Sequence, residues 1–355
     1  MNGNRTFETM EQLSRHALRR PAVDCSETDI LACDIYSTDG DKLVSALTIV
    51  TDYVKSLLEL NKINMVTVYT VDRPHSNVQQ IQCYRQLCNI RKIVTELSAG
   101  FSLECNKILK LLPGISQEIS LVQFQVISEC LKHLQQIDHY SYTHSKNVGV
   151  YSLLLARWLG MSNSGCATAL QAGLLHDIGK TEIPESILKK AAALTTEEFE
   201  LIKRHPIYSY MRLIDCPAVC FAVKQAVLQH HERLDKSGYP LAVDDINTYA
   251  KIIAIADVYD AMTTNRVYKK GVTPFKAFEF FQQQGREMFE PIFIKVFIEN
   301  MSSLLVGATV QTTSGDTGRI VYSPPAAPFK PVIDQRSIMT SLMHSNQVEI
   351  AKISI

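Results

Sequence analysis

The rhythm of polar and apolar positions changes several times along the 355 residues. Residues 1–24 are polar and aperiodic, the pattern of a flexible tail. ILACDIYSTDGDKLVSALTIV, from Ile30, then reads as two short strands around STDGD, where Asp39-Gly40 supplies hairpin chemistry. TDYVKSLLELN has helical spacing and MVTVYTV is strand-like, so residues 25–73 predict a small α+β module. Residues 74–115 keep helical spacing and read as a linker, and from 116 to 301 helical periodicity dominates. There VGVYSLLLARWL places Val148, Tyr151, Leu154, Leu155 and Trp158 on one helix face. Thr195 and Glu198 have the spacing of a capping box. AKIIAIADVYDAMTT is apolar nearly all round, which predicts a buried helix. Residues 302–355 turn β-rich, with TTSGDTG between VGATVQ and RIVYS as a hairpin in which Gly315 and Gly318 are turn residues. The expected fold class is mainly α, a helical domain flanked by the N-terminal module and short C-terminal β hairpins.

Composition narrows the possible functions. Lys+Arg and Asp+Glu both number 36, so no bulk field draws in nucleic acid or an anionic membrane, and an anionic ligand must be held by local groups. Nine cysteines without a C-x-x-C pair argue against a disulfide framework and a zinc ribbon, and fit a reducing cytoplasm. The longest apolar stretches fall short of the roughly 18 uncharged residues of a membrane span. The first residues carry Glu8 and Glu11 without an apolar core, unlike a secretory signal.

The chemistry is concentrated in the helical part. His144 opens a helix, His176 and Asp177 are adjacent in AGLLHDIGK, and His205 lies in KRHPIYS. His230 and His231 lead HHERLDKSGYP, and Asp257 sits in AIADVYDAM. Singly, each histidine reads as a surface or hydrogen-bonded residue. Asp177 and Asp257 resist that reading, because an ionised carboxylate in an apolar helix costs several kcal/mol unless it is paired or binds metal. Five imidazoles and two carboxylates are more donors than one closed zinc site needs, and this mixed N/O set suits two ions such as Fe or Mn. An aspartate at a His-Asp step can bridge two such ions, which together activate water and clamp the oxygens of an in-line displacement at phosphorus.

HDIGK at 176–180, HP at 205–206, HHERLDKSGYP at 230–240 and ADVYDAMTTNRVYKK at 256–270 also resemble, in order and approximate spacing, the successive motifs of the HD-GYP family. The likeness runs from about Asp138 to Pro291. It implies an HD-type helical bundle and hydrolysis of cyclic di-GMP to pGpG or onward to GMP. His144, His176, Asp177, His205, His230, His231 and Asp257 match the family's metal ligands, with Asp177 as the bridge. Lys180 matches a lysine that holds a phosphate or assists the leaving oxygen, and Arg266 and Lys269 match basic residues that grip the nucleotide phosphates. Gly238, Tyr239 and Pro240 form the naming loop, with Tyr239 either stacking on a base or packing. Asp138, Asp235 and Asp260 are expected to support the ligands, Asp260 from the same helix face as Asp257.

Two departures stand out. Lys236 replaces the first glycine of the usual D-G-x-G-Y-P, and strains the loop if that position needs φ > 0. No glutamate precedes His144 by one turn in IDHYSYTH, which favours two metals over three. Residues 30–71 resemble the small module that precedes many HD-GYP domains; capping is its plainest reading, with sensing or dimerisation open. The rival functions are hydrolysis of another cyclic dinucleotide or mononucleotide, and a silent module that docks with diguanylate cyclases. A homodimer is an open expectation.

Overall fold

The computed structural model describes residues 17–25, 29–33, 35–38, 40, 42–44, 50, 52–70, 86, 90, 114–116, 140–190, 192–264, 271–324, 327–335, 338–342 and 349–354. The chain divides into two compact units, residues 1–89 and 90–355.

In the first unit, strands β1 (Ala17–Pro21), β2 (Asp29–Leu31) and β5 (Met65–Thr70) form an antiparallel sheet in the order β1-β5-β2. Residues 17–24, expected within the flexible tail, are therefore ordered as β1 and a turn of 3-10 helix. The reason is tertiary: Arg20 on β1 ion-pairs with the wholly buried Asp29 at 2.9 Å, and β1 runs along β5. The hairpin around Asp39-Gly40 is present as β3 (Ile35–Tyr36) and β4 (Lys42–Val44), which pair with each other. Helix α1 (Asp52–Leu60) lays Val54 and Leu58 onto a core with Leu31, Val66 and Val68.

The second unit holds helices α2 (Tyr140–Trp158), α3 (Asn163–Leu175), α4 (Glu185–Leu188), α5 (Thr196–Ile202), α6 (His205–Leu213) and α7 (Phe221–Gln229). It continues with α8 (Thr248–Thr263), α9 (Pro274–Gln283) and α10 (Pro291–Ser303). The Thr195–Glu198 capping box starts α5 as predicted. Helix α8 is buried along nearly its whole length, as its apolar text requires. Helix α2 departs from the one-face expectation. It is buried all round from Thr143 to Ala156 except at Tyr151, because α3, α8 and α10 all pack on it. Its polar run Thr143-His144-Ser145-Lys146-Asn147 is interior too, which periodicity alone does not report.

The C-terminal hairpins join into one five-stranded antiparallel sheet, β10-β6-β7-β8-β9. Its strands are β6 (Thr309–Thr312), β7 (Thr317–Tyr322), β8 (Val332–Gln335), β9 (Ile338–Ser341) and β10 (Ile350–Ser354). Gly315 turns the β6–β7 hairpin at φ 90°, whereas Gly318, expected in the turn, lies within β7 opposite Val310. No helix among the described residues is long and apolar enough to cross a membrane.

Candidate metal centre

The centre is built where helices end. Helix α3 stops at Leu175, so His176 and Asp177 occupy the break before a 3-10 turn over Ile178–Glu182, rather than the helix interior. A helix end leaves unpaired carbonyls, and three of the candidate histidines use them. His176 Nδ1 is 2.7 Å from Gly173 O, His205 Nδ1 2.7 Å from Ile202 O, and His230 Nδ1 2.7 Å from Val227 O. Each bond reaches back three residues and fixes the ring, and the freed Nε2 atoms of His205 and His230 lie 3.2 Å apart. His144 is fixed differently, with Nδ1 2.7 Å from Asp260 Oδ2.

The inward atoms converge in two groups, His144-His176-Asp177 and His205-His230-His231, each with its donor atoms within 4.8 Å of one another. Asp177 faces both: Oδ2 is 3.5 Å from His144 Nε2 and 3.3 Å from His176 Nε2, and Oδ1 is 3.2 Å from His205 Nε2. Asp257 spans them as well, with Oδ1 3.2 Å from His144 Nε2 and Oδ2 4.0 Å from His231 Nδ1. All seven expected ligands thus meet in one place, although α2 and α8 bring their members from more than a hundred residues apart.

Electrostatics set the protonation states. Burial opposes ionisation of Asp177, but His176 and Lys180 beside it hold its carboxyl well below the usual range. Burial likewise opposes ionisation of Asp257, but the hydrogen bond and charge of His144, together with His231 and His176, hold its carboxyl well below the usual range. Burial pushes His230 and His231 well below the ordinary histidine value. Burial also acts against protonated His144, yet hydrogen bonds to Asp257 and Asp260 raise it to about 10. His176 Nε2 and Asp177 Oδ1 are buried without an aligned hydrogen-bond partner. Orphaned polar atoms of this kind need a ligand, and imidazole nitrogens facing two carboxylates are a donor set that a pair of divalent ions satisfies.

The supporting residues lie mostly outside the sequence reading. Asp260 behaves as expected: Oδ2 holds His144, while Oδ1 accepts from Asn147 Nδ2 at 2.7 Å and Thr264 Oγ1 at 2.9 Å. Ser209, which carried no signal in the sequence, donates to His176 O at 2.9 Å and accepts from Gly179 N at 2.8 Å, tying the His-Asp break to α6. Gln229 Oε1 accepts from Asn247 N at 2.8 Å, joining the end of α7 to the start of α8. Asp235 does not reach the ligands; it is exposed and its Oδ1 accepts from Ser237 N and Oγ, the local turn chemistry that a short acid prefers. Asp138, Arg266 and Lys269 lie outside the described residues.

A family model described as HD domain matches residues 131–292. Over 193 residues the chain is 39% identical to "Cyclic di-GMP phosphodiesterase PA4108" of Pseudomonas aeruginosa, covering 54% of this chain and 46% of that protein. It is 34% identical over 165 residues to "3'3'-cGAMP-specific phosphodiesterase 2" of Vibrio cholerae, covering 46% of this chain and 32% of that one. The solved structure of "Bd1817, a HDG"Y"P protein from Bdellovibrio bacteriovorus" matches with a TM-score of 0.53 and 15% identity over 80% of this chain and 99% of that chain, a likeness of fold. Residues 131–292 are therefore similar to HD domains, and the helical fold is like that of an HD-GYP-type protein. The chain spans 46% and 32% of the length of these two curated relatives.

The HD-GYP loop follows His231 directly. Gly238 passes so close to the preceding backbone that a Cβ would lie 2.5 Å from His231 O, so only glycine fits. Tyr239 donates its N–H to His231 O at 3.2 Å, and its ring stacks on the His231 ring at 4.6 Å. The Tyr239–Pro240 peptide is cis, and Lys236 has φ 65°, the strained conformation foreseen for it. Lys236 Nζ pairs with the exposed Asp244 at 2.8 Å. Glu232, missed by the sequence reading, is 2% exposed. Its Oε1 accepts from Leu241 N at 2.7 Å and Ala242 N at 3.2 Å, closing the loop from within. Nothing in the string of polar residues HHERLDK distinguishes this buried acid from its exposed neighbours.

Proposed function

We propose that this chain is a metal-dependent phosphodiesterase that hydrolyses cyclic di-GMP to pGpG, GMP or both. The observation that carries the reading is Asp177, whose two carboxylate oxygens face different histidine groups. His144, His176, Asp177, His205, His230, His231 and Asp257 would hold two divalent ions, Fe or Mn by their donor chemistry. When bound, such ions supply an activated water at neutral pH and neutralise charge at phosphorus.

The chain's own residues do the rest. The Nδ1 anchors keep the Nε2 atoms of His176, His205 and His230 aimed inward before substrate arrives, so little reorganisation remains for the reacting state. Lys180 Nζ stands 2.5 Å from Asp177 Oδ2 at the open side of the centre, with its side chain 37% exposed. There it can donate to a phosphoryl oxygen or to the leaving oxygen. Arg266 and Lys269 are assigned to gripping the nucleotide phosphates by their family positions, and Asp138 to supporting the ligands. Tyr239, stacked on His231, walls the centre on the loop side. Diguanylate cyclases, which make cyclic di-GMP, are the functional partners this chemistry implies. A second reading, cleavage of a mixed cyclic dinucleotide, is favoured by the Vibrio cholerae relative named for 3'3'-cGAMP.

The test is to incubate the oxygen-free, metal-analysed protein with each dinucleotide, beside an Asp177→Ala control, and resolve the products by mass. Release of pGpG or GMP by the intact protein alone is expected. Turnover of 3'3'-cGAMP alone would select the second reading, and no turnover of either by metal-loaded protein would sink both.

A further inference from the structure

Lys203 caps the end of α5, two residues before His205. Its ammonium lies 5.0 Å from the centre of the Phe199 ring and 6.0 Å from that of Tyr239. Tyr239 in turn stacks 4.6 Å from His231, so ligand, tyrosine and ammonium form a row running outward from the centre. The tyrosine is tied to that row by its own N–H, which donates to His231 O at 3.2 Å. Phe199 is 47% exposed, leaving an aromatic face open beside the cation. The carboxylate partner of Lys203 is Glu200 at 2.5 Å, a pair three residues apart whose acid is 58% exposed. Such a surface pair contributes little and gives way to a better anion.

A cyclic dinucleotide has two phosphodiester groups. With one at the metal centre, the ring carries the other outward. We infer that Lys203 is a specificity-determining residue that takes the phosphate not being cleaved, with Tyr239 and Phe199 flanking it as apolar walls. This rests on the phosphodiesterase reading, and predicts a preference for dinucleotides over esters with a single phosphate. The lysine chain is pinned between two rings, so a phosphate there gains a charged hydrogen bond without first ordering a free side chain.

The experiment compares wild type, Lys203→Ala and Lys203→Arg in metal-loaded form on two esters, cyclic di-GMP and bis(4-nitrophenyl) phosphate, which has one phosphate. Lys203→Ala is expected to lower kcat/KM for cyclic di-GMP about 10- to 100-fold more than for the small ester, the effect of one lost charged hydrogen bond. Most of the loss should appear in KM, and Lys203→Arg should recover most of it. Equal losses on both esters, or none, would overturn the assignment even though the wild type turns over both. A wild type that cleaves neither ester overturns the phosphodiesterase reading and this subsite with it.

Discussion

Asp260 shows how one residue behind the ligands governs one in front. It is wholly buried and both of its oxygens are engaged, so His144 is fixed in tautomer and angle. Asp260→Ala should weaken metal affinity about 10- to 100-fold, measured by competition with a chelating dye; unchanged affinity would show that α2 alone orients His144. Lys236 offers the opposite case, a residue that departs from its family and bears the strain. A lysine in the left-handed region costs about 1–2 kcal/mol, and glycine returns part of that as extra freedom of the unfolded chain. Lys236→Gly should therefore raise stability in urea unfolding by up to about 1 kcal/mol, while Lys236→Ala, which keeps the Cβ, gains nothing. A Gly variant no more stable than wild type would mean the Lys236–Asp244 pair offsets the strain.

Among elements, the contact between the His-Asp break and α6 has the least slack. A Cβ at Gly179 would collide with His205 O and Ser209 N, both backbone atoms that cannot rotate away. Gly179→Ala should drive the 3-10 turn off α6, costing about 1–3 kcal/mol and pulling Asp177 away from His205, with metal content falling in the purified protein. Ser209→Ala tests the same joint more gently. It leaves Gly179 N and His176 O without their partner, a loss of about 1–3 kcal/mol in denaturant titration. Full stability in both variants would place the joint elsewhere. This is also the element the sequence misjudged. HDIGK continues the apolar text of α3, and only the packing of α6 shows that the helix ends before His176.

For the molecule as a whole, the buried histidines make opposing contributions to stability. His230 and His231 stay neutral in the fold but take up protons when unfolded below the ordinary value of 6.5, so their contribution is present above that pH and lost beneath it. His144 is held protonated up to about 10, so its contribution is present below 6.5 and lost as pH rises from there towards 10. The metal-free protein should thus be most stable near pH 6.5 and lose melting temperature on both sides. A steady rise from pH 5 to 9 would show that Asp257 and Asp260 do not hold the proton on His144.

The sequence by itself determined which donors were available and most of the elements. The seven His and Asp donors that converge, the buried α8, the capping box at Thr195 and the hairpins could be read because each depends on residues close together in the chain or on a side chain too costly to bury idle. It also located the strained Lys236, since backbone conformation is a local property. Tertiary structure alone decided which polar residues are interior. Glu232, Ser209, Gln229 and the polar start of α2 look in the text like any solvated residue, and Asp235 like a supporting acid. Burial and hydrogen-bond partners arise when distant elements meet, as α2 meets α8 and β1 meets β5, and a pattern of neighbours along the chain carries no record of that meeting.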